Sequence, residues 1–345
     1  MPIYGWAFFV ALIVSLLIMP AVILLAEKTG AMDAPNARKV HKKPIPRIGG
    51  LGIYIAFMVA IIFVAIKFKL DDEMLRETVG LVLSGSLIVA VGLIDDYKNL
   101  PAKIKLFGQI CAAAVLVLLF DVRIDFVTDP FGDYIYLEWF AMPATMFWLV
   151  GLTNTVNLID GLDGLAAGVS TIASITILLV ALEQHFILVA VVTAALAGAA
   201  LGFLKYNFNP AKIFMGDTGS MFLGFILAGI SVTGAFKSVA AIALIVPILA
   251  LGLPILDTTF AIVRRVRGGV PIFKPDKGHL HHRLLNVGFT QCQAVLLMYV
   301  ISALFGLSAI ALTAVSSQIA VVILLVVISA IIYGVKKLGI AKPGN

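Results

Sequence analysis

Long apolar stretches separated by short polar segments run through most of this chain. A helix needs about 20 predominantly apolar residues to cross a bilayer, and eleven stretches come close to that length. They are residues 4–26, 49–66, 78–94, 104–120, 138–156, 165–182, 186–203, 219–236, 238–257, 291–312 and 319–335. The pattern predicts an all-α polytopic membrane protein with about eleven transmembrane helices.

The composition agrees with this prediction and excludes an ordinary soluble protein. Hydrophobic residues make up 61% of the 345 residues and charged residues only 13%, whereas soluble domains carry about 25% charged residues. Little sequence remains for a soluble domain, so we expect residues 1–345 to form a single integral membrane domain. Cys111 and Cys292 fall in or beside apolar stretches, which is typical of small buried side chains rather than of a disulfide framework.

The distribution of basic residues predicts the orientation of the chain. If the N-terminus lies outside, the inward-facing segments and their borders hold 20 of the 25 lysines and arginines. Because basic loops stay on the cytoplasmic side, we expect the C-terminus in the cytoplasm. On the opposite side, residues 121–138 alternate β-branched and aromatic residues around a Pro/Gly/Asp turn, which predicts a small external β-hairpin.

Acidic, amide and basic side chains gather at four of the predicted cytoplasmic junctions. The sequences there are GLIDDYKNLPAK, NTVNLIDGLDGLAAG, YNFNPAKIFMGDTGS and RRVRGGVPIFKPDKGHLHHRLL. Ionisable residues near lipid are costly and are functional candidates by default. Since the junctions share one side, we expect one active site, and its loops are residues 27–48, 95–105, 154–164, 204–220 and 258–290.

The residue types at these junctions predict metal-assisted phosphoryl transfer. Asp95, Asp96, Asp160, Asp163 and Asp217 are hard oxygen ligands without a nearby cysteine, and such ligands suit Mg²⁺ or Mn²⁺ together with phosphate oxygens. Neighbouring Lys, Arg and His residues would neutralise a diphosphate and stabilise a transferring phosphoryl group. The glycines of GLDGLAAG and GDTGS allow a close approach of the backbone to an anion.

Each of these features has a simpler alternative when it is taken alone. The Asp95–Asp96 pair could be a solvated helix end, and Asn-x-x-Asp-Gly could be a helix stop. The histidines near residue 280 could be a loop cluster or a zinc site, although zinc favours a closed set of N or S ligands. A cation-coupled transporter would carry charges near the middle of its spans, and these are nearly free of charge. The joint presence of the four junctions favours an enzyme.

Taken in order, the motifs resemble those of the polyprenyl-phosphate N-acetylhexosamine-1-phosphate transferase superfamily. The resemblance runs from about residue 33 to residue 290 and rests on DDYKNLPAKIK, NTVNLIDGLDGLA, NPAKIFMGDTGS and RGGVPIFKPDKGHLHHRL. The sequence His279-Leu280-His281-His282 is similar to the H-x-H-H motif of the bacterial WecA/TagO-type branch. The muramoyl-pentapeptide branch typically carries three consecutive histidines instead.

The resemblance implies a reaction and its partners. UDP-N-acetylglucosamine and undecaprenyl phosphate would give undecaprenyl-diphospho-N-acetylglucosamine and UMP, as the first membrane step of a teichoic acid or O-antigen type of envelope glycan. The cofactor would be Mg²⁺, with Mn²⁺ as a possible substitute, and the site would face the cytoplasm from the plasma membrane. No nucleic acid is expected as a partner. Another UDP-N-acetylhexosamine and a homodimer are alternatives that the sequence leaves open.

The resemblance also implies residue roles. Asp217 would be a Mg²⁺ ligand with Asp95 and Asp96 beside the metal, Asp95 handling the lipid phosphate, and His281 and His282 would contact the diphosphate. Phe214 would stack on uracil, and the arginines of residues 264–267 would read the sugar. The full set of implied substrate-binding residues is Lys43, Lys103, Lys105, Asn157, Asp160, Asp163, Asn207, Phe214, Arg264, Arg265, Arg267 and His279.

Three further expectations concern mechanism and access. A phosphate monoester is largely dianionic at neutral pH, so we predict direct attack by the lipid phosphate, with a covalent aspartyl intermediate as the alternative. Pro247 and Pro254 should kink the ninth span and open a groove for lipid, unless the kink serves packing alone. Asp257 is expected just beyond that span, either as a group with a shifted pKa or paired with a nearby arginine.

Overall fold

The structure is a computed structural model, and it describes residues 1–34, 44–128, 134–237, 242–269 and 278–313, with isolated positions between 315 and 330. Twelve α-helices lie within these residues. They are α1 (Ile3–Thr29), α2 (Gly49–Phe68), α3 (Asp72–Lys98), α4 (Ala102–Ala114), α5 (Ala141–Ile159), α6 (Leu165–Glu183), α7 (Ile187–Asn207), α8 (Gly216–Lys237), α9 (Ile242–Ala250), α10 (Gly252–Arg267), α11 (Leu280–Asn286) and α12 (Gln291–Thr313). A π-helical turn (Val115–Leu119) extends α4, and a 3₁₀ turn (Glu138–Phe140) precedes α5.

Eight of the described helices are long and apolar enough to cross a membrane, so the predicted multi-pass helical protein is confirmed. They are α1, α2, α3, α4 with its π turn, α6, α7, α8 and α12. The predicted number of about eleven is larger for three reasons. The Asn and Thr residues of α5 lower its hydropathy, the predicted ninth span is divided into two helices, and most of residues 319–335 lie outside the described part.

The predicted ninth span, residues 238–257, is interrupted at Leu251 in its described part, between the two prolines that were expected to kink it. Helix α9 ends at Ala250 and α10 begins at Gly252. Pro247 lies inside α9, whereas Pro254 lies in the first turn of α10, where a missing N–H costs no intrahelical hydrogen bond. Because α10 continues to Arg267, the predicted loop 258–290 is mostly helical in its described part, and Asp257 lies within a helix rather than beyond one.

Two small antiparallel sheets accompany the helices. Strand β3 (Phe126–Thr128) pairs with β4 (Tyr134–Tyr136), which confirms the predicted hairpin, although its turn at 129–133 lies outside the described residues. Strand β1 (Met32–Asp33) pairs with β2 (Ile45–Pro46). Both strands are only two residues long, so the predicted all-helical architecture is confirmed. The second strand also joins the segment before α8, because the Phe214 N–H donates to the Pro46 carbonyl at 2.7 Å.

Local chemistry explains where α3, the helix that carries two of the candidate aspartates, begins and ends. Asp71 caps its N-terminus by accepting a hydrogen bond from the Met74 N–H at 2.8 Å, and Asp72 and Glu73 lie in the first turn, where negative charge is favourable. At the other end Asn99 takes a left-handed conformation, with φ of 49°, which stops the helix immediately after the Asp95–Asp96 turn.

Residues 216–234 of helix α8 are almost completely buried, and glycines allow other helices to approach this part closely. A Cβ added at Gly50 of α2 would lie 2.0 Å from the backbone nitrogen of Gly219, and one added at Gly92 of α3 would lie 2.6 Å from the Thr218 Cα. Packing of small residues is a major source of helix association in lipid. These glycines therefore bring α2 and α3 against the first turn of α8.

Replacing Gly50 with alanine should destabilise the protein. The new methyl group would force α2 away from α8, and such overpacking costs about 1–3 kcal/mol. The matched control is Gly151→Ala in α5, where an added Cβ meets nothing within 4 Å and the change should be neutral or stabilising by up to about 1 kcal/mol. The measurement is the thermal unfolding midpoint in detergent, and equal midpoints for the two variants would contradict the close approach.

Candidate active site

Three aspartates from two helices converge where α3 ends and α8 begins. Asp95 and Asp96 lie in the last turn of α3, and Asp217 lies in the first turn of α8. One carboxylate oxygen from each residue can be chosen so that all three lie within 4.8 Å of one another. The structure therefore brings together the three residues that the sequence suggested for a metal, and this oxygen-only set suits a hard divalent cation.

Lys105, near the start of α4, supplies positive charge to this aspartate cluster. Its Nζ lies 2.8 Å from Asp217 Oδ2 and 3.5 Å from Asp95 Oδ2. Asp95 also accepts a hydrogen bond from the Leu100 N–H at 2.6 Å, which fixes its carboxylate at the end of α3. Lys103, two residues earlier, is exposed, so of these two predicted lysines only Lys105 reaches the cluster.

Asp96 is fully buried and holds the N-terminus of α8. Its carboxylate accepts hydrogen bonds from the backbone N–H groups of Asp217 and Thr218 at 2.9 and 3.0 Å, and from the Thr218 hydroxyl at 2.5 Å. Arg47 Nη2 lies 3.3 Å from the same carboxylate. Both Asp96 oxygens are held by the backbone at the start of α8, whereas Oδ2 of Asp95 and Oδ2 of Asp217 face the side chain of Lys105. Asp95 and Asp217 are therefore the better placed of the three to offer oxygens to a metal.

A cavity of about 1060 Å³ lies beside the cluster and is lined from several connections between helices. We call it the cleft. Seven predicted residues line it: Asn157, Asp160, Asp163, Asn207, Phe214, Asp217 and His282. Polar residues that the sequence analysis missed also line it: Glu27, Asp33, Arg47, Asn209, Lys212 and Gln291. Of these missed residues, Arg47 could have been found from the sequence, because it lies directly before the apolar stretch that starts at Ile48.

Two side chains join the α5–α6 connection to the α7–α8 connection across the cleft. Asp163 Oδ2 accepts hydrogen bonds from Asn209 Nδ2 and from the Ala211 N–H, both at 3.0 Å. Asn207 accepts from the Gly164 N–H and donates to the Ile213 carbonyl, both at 2.9 Å. The Asp-Gly-Leu-Asp-Gly motif is therefore held in place by the segment that leads to Asp217.

Asp160 is the carboxyl group of the cleft with the most perturbed pKa. Burial, together with the negative charges of Asp217, Asp96 and Asp163, raises the pKa of Asp160 to about 8. Proteins commonly perturb pKa values in this way at functional sites. Because the surrounding charge is negative, a cation or a cation-bearing ligand in the cleft would favour the ionised form of Asp160.

The histidines of the H-x-H-H motif occupy different environments. His282 lines the cleft, whereas His279 and His281 are buried. His281 packs behind the Asp-Gly-Leu-Asp-Gly motif, since a Cβ added at Gly161 would lie 2.5 Å from its Nε2. Burial and the neighbouring His282 lower the pKa of His281 to about 3, so its ring is neutral at physiological pH.

The remaining predicted residues lie further from the cleft. Arg264 and Arg265 are buried on α10, Arg267 is exposed, and Lys43 lies outside the described residues. Asp257, for which an arginine partner was one expectation, has His279 as a partner, with Nδ1 and Oδ2 2.8 Å apart. The arginines and His279 do not line the cleft, and their roles toward substrate stay predictions.

A cluster of oxygen ligands lies beside a polar cleft at the ends of apolar helices. This arrangement suits an integral membrane phosphotransferase, and the comparisons with known proteins identify that class. Residues 78–235 match Glycosyl transferase family 4. The chain is 42% identical to a probable undecaprenyl-phosphate N-acetylglucosaminyl 1-phosphate transferase of Bacillus subtilis (strain 168), over 93% of this chain and 88% of that protein.

Two further relatives extend the similarity. One is a decaprenyl-phosphate N-acetylglucosaminephosphotransferase of Mycolicibacterium smegmatis, 40% identical over 80% of this chain and 74% of its own. The other is the undecaprenyl-phosphate alpha-N-acetylglucosaminyl 1-phosphate transferase of Escherichia coli (strain K12), 26% identical over 82% of this chain and 76% of its own. The protein therefore belongs to glycosyl transferase family 4 and is a multi-pass membrane glycosyl-1-phosphate transferase.

Replacing Asp160 with asparagine should stabilise the metal-free protein, and the gain should grow with pH. The pKa of Asp160 is higher in the folded chain, about 8, than its ordinary value of 3.8. Folding therefore loses stability as pH rises between these two values, and the asparagine variant escapes that loss. Thermal unfolding midpoints of both proteins in chelator at pH 5 and pH 8 test this, and a gain at pH 8 no larger than at pH 5 would contradict it.

Proposed function

We propose that this protein transfers N-acetylglucosamine 1-phosphate from UDP-N-acetylglucosamine to undecaprenyl phosphate, releasing UMP. The observation that carries the proposal is the cluster of Asp95, Asp96 and Asp217 at the edge of the polar cleft, at the ends of membrane-spanning helices. A site in this position is accessible to a water-soluble nucleotide sugar from the aqueous side and to a lipid phosphate from the bilayer. The names of the relatives from Bacillus and Escherichia support these substrates.

The metal in this proposal is Mg²⁺, with Mn²⁺ as a substitute. Asp217 and Asp95 would hold it, and Asp96 would fix the helix that carries Asp217. The described ligand set consists of carboxylates without sulfur or imidazole, as Mg²⁺ prefers. When bound, the ion would neutralise part of the negative charge of the diphosphate.

The cleft supplies groups for the nucleotide and for the phosphates. Phe214 lines it beside Asn157 and Asp160, and we assign to its ring the stacking on uracil. Arg47, Lys105 and His282 would face the phosphate oxygens. Arg47 and Lys105 are already oriented by the aspartates, through contacts of 3.3 Å to Asp96 and 2.8 Å to Asp217. Their charges would therefore be arranged before substrate binds.

The proposed location of the site is the cytoplasmic face of the plasma membrane. In the topology predicted from the sequence, the segments that carry the aspartates lie on the same side as 20 of the 25 lysines and arginines. The product would be the first lipid-linked sugar of a cell-envelope glycan of the teichoic acid or O-antigen type. A site on this face would open to the cytoplasm, where UDP-N-acetylglucosamine is found.

The proposed mechanism is a single displacement. An oxygen of the lipid phosphate forms a bond to the β-phosphorus of the nucleotide sugar, while the bond from that phosphorus to the bridging oxygen breaks and UMP leaves. The lipid phosphate is already largely dianionic at neutral pH, so Asp95 is needed to orient it rather than to take its proton. Lys105, between Asp95 and Asp217, would neutralise charge as the two phosphates approach.

UMP release by the purified protein tests the function. The protein in detergent is given undecaprenyl phosphate, Mg²⁺ and, in separate reactions, UDP-N-acetylglucosamine, UDP-N-acetylgalactosamine, UDP-glucose and UDP-N-acetylmuramoyl-pentapeptide. We expect UMP release with UDP-N-acetylglucosamine that depends on the lipid. Preference for another N-acetylhexosamine would change the assigned sugar, and no lipid-dependent UMP with any donor would refute the function.

Replacing Asp217 with asparagine should abolish metal binding as well as turnover. The substitution keeps the shape of the side chain but removes one charge from the cluster, so we expect both Mn²⁺ affinity and turnover to fall by at least about 100-fold. Mn²⁺ binding followed by electron paramagnetic resonance provides the readout that does not depend on activity. The matched control is Asp125→Asn, whose carboxylate is paired with Arg123 at 2.7 Å beside the β3–β4 hairpin. Tight Mn²⁺ binding by the Asp217 variant would remove this residue from the ligand set.

The stereochemical course at phosphorus should be inversion. A single displacement inverts the configuration, whereas a covalent aspartyl intermediate passes through two displacements and retains it. A donor made chiral at the β-phosphorus with sulfur and oxygen isotopes distinguishes the two courses through the configuration of the lipid product. Net retention would overturn the single displacement and would favour an aspartate nucleophile.

A further inference from the structure

Asp257 of α10 and His279, the residue before α11, form a buried pair outside the cleft. The side chain of His279 lies with Nδ1 2.8 Å from Asp257 Oδ2, and the other carboxylate oxygen of Asp257 accepts the Leu280 N–H at 2.8 Å. Asp257 is 4% exposed and His279 is 5% exposed. One carboxylate thus binds both the ring of His279 and the backbone that follows it.

A series of ring contacts leads from His279 to the wall of the cleft. The ring of His279 stacks on the ring of His281, with centroids 5.7 Å apart and planes 12° from parallel. His281 in turn contacts His282, with centroids 4.3 Å apart, and it packs against Gly161. His282 and Gly161 both line the cleft. Asp257 is therefore connected through packed rings to two separate points on the wall of the cleft.

We propose that Asp257 and His279 are positioning residues, which fix His281 and His282 and thereby the wall of the cleft at Gly161. The proposal rests on the proposed function, because its kinetic consequence concerns the nucleotide sugar. A buried carboxylate is costly unless it is paired and hydrogen-bonded. The Asp257–His279 pair meets that condition while it holds the imidazole of His279 in a single orientation.

This role differs from the one that the sequence resemblance implied for His279, which was direct contact with substrate. The ring is buried, one of its nitrogens is bound to Asp257, and its face is covered by His281. Those contacts leave His282 as the histidine of the motif that lines the cleft. His279 would then affect substrate only through its neighbours.

A double-mutant cycle separates positioning from direct contact. We expect Asp257→Asn and His279→Ala each to lower kcat/KM for the nucleotide sugar by at least about tenfold, since small displacements at a reacting site are costly. The KM for undecaprenyl phosphate should stay within about twofold of the wild-type value. The kcat/KM of the double variant should be no more than about threefold lower than that of the less active single variant, because both substitutions break the same interaction. Losses that multiply would overturn the proposal, and so would single variants with normal kinetics.

Histidine accessibility tests the same arrangement without any substrate. Diethyl pyrocarbonate labelling with mass spectrometry should modify His185 in the wild-type protein, where that residue is exposed, and should spare His279 and His281. In Asp257→Asn both buried rings should become labelled. Unchanged protection of both rings would overturn the proposal. A wild-type protein that shows this protection yet releases no UMP would refute the proposed function and leave the pair intact.

Two matched controls and one conservative variant complete the design. Asp125→Asn and His185→Asn make the same kinds of change away from the cleft and should leave kcat/KM within about twofold of wild type. If Asp257→Asn does not fold, His279→Asn serves instead, since its amide can place an N–H near the position of Nδ1. That variant should recover at least about half of the kcat/KM lost in His279→Ala, and no recovery would overturn the proposal.

Discussion

The docking of the α8 N-terminus onto the buried carboxylate of Asp96 is the interaction on which the rest of the site depends. Two backbone N–H groups at the start of α8 have no intrahelical partner, and Asp96 accepts both at about 3 Å. A carboxylate at a helix N-terminus is favourable because it meets unpaired donors and the positive end of the helix dipole. Together with the close approach of Gly92 to Thr218, this contact fixes the end of α3 that carries Asp95 against the start of α8 that carries Asp217.

The same contact brings the carboxylates of Asp95, Asp96 and Asp217 close together. Few cationic side chains lie near enough to neutralise their negative charge. Arg47 lies 3.3 Å from Asp96, and Lys105 contacts both Asp95 and Asp217. On the side of the cleft, burial and then the charges of Asp217, Asp96 and Asp163 raise the pKa of Asp160. A site that keeps excess negative charge in a partly buried position is less stable than a neutral one and is suited to bind a cation. If Asp160 serves the proposed function, stability and function oppose each other at this residue, as they do at many active sites.

The sequence predicted the helical membrane fold, the hairpin and the aspartate cluster because each leaves a local pattern. Apolar stretches of sufficient length predict membrane-spanning helices. The Asp-Asp and Gly-Asp-Thr-Gly-Ser motifs are easily recognised because the sequence around them is apolar. Pro247 and Pro254 indicated a disturbance in the ninth span, but not its division into α9 and α10 at Leu251, because Pro254 fits the first turn of a new helix as well as it fits a kink. The contacts of Asp96 and His279 were not predictable either. Both join residues far apart in sequence, 121 positions for Asp96 and Asp217 and 22 for His279 and Asp257.

A pair of amide side chains, buried Gln109 and half-buried Asn154, explains how α4 keeps Lys105 directed at the cluster. Gln109 lies one turn after Lys105 on the same face of α4, and it exchanges hydrogen bonds of 2.6 and 3.3 Å with Asn154 of α5. Asn154 lies one turn before Asn157, which lines the cleft and donates to the Ser220 hydroxyl of α8 at 2.9 Å. Unpaired amides in an apolar region are costly, so a slip of α4 along α5 would break both bonds at once. The rotation of α4, and with it the approach of Lys105 to Asp217, is therefore set by polar groups below the site rather than by the site alone.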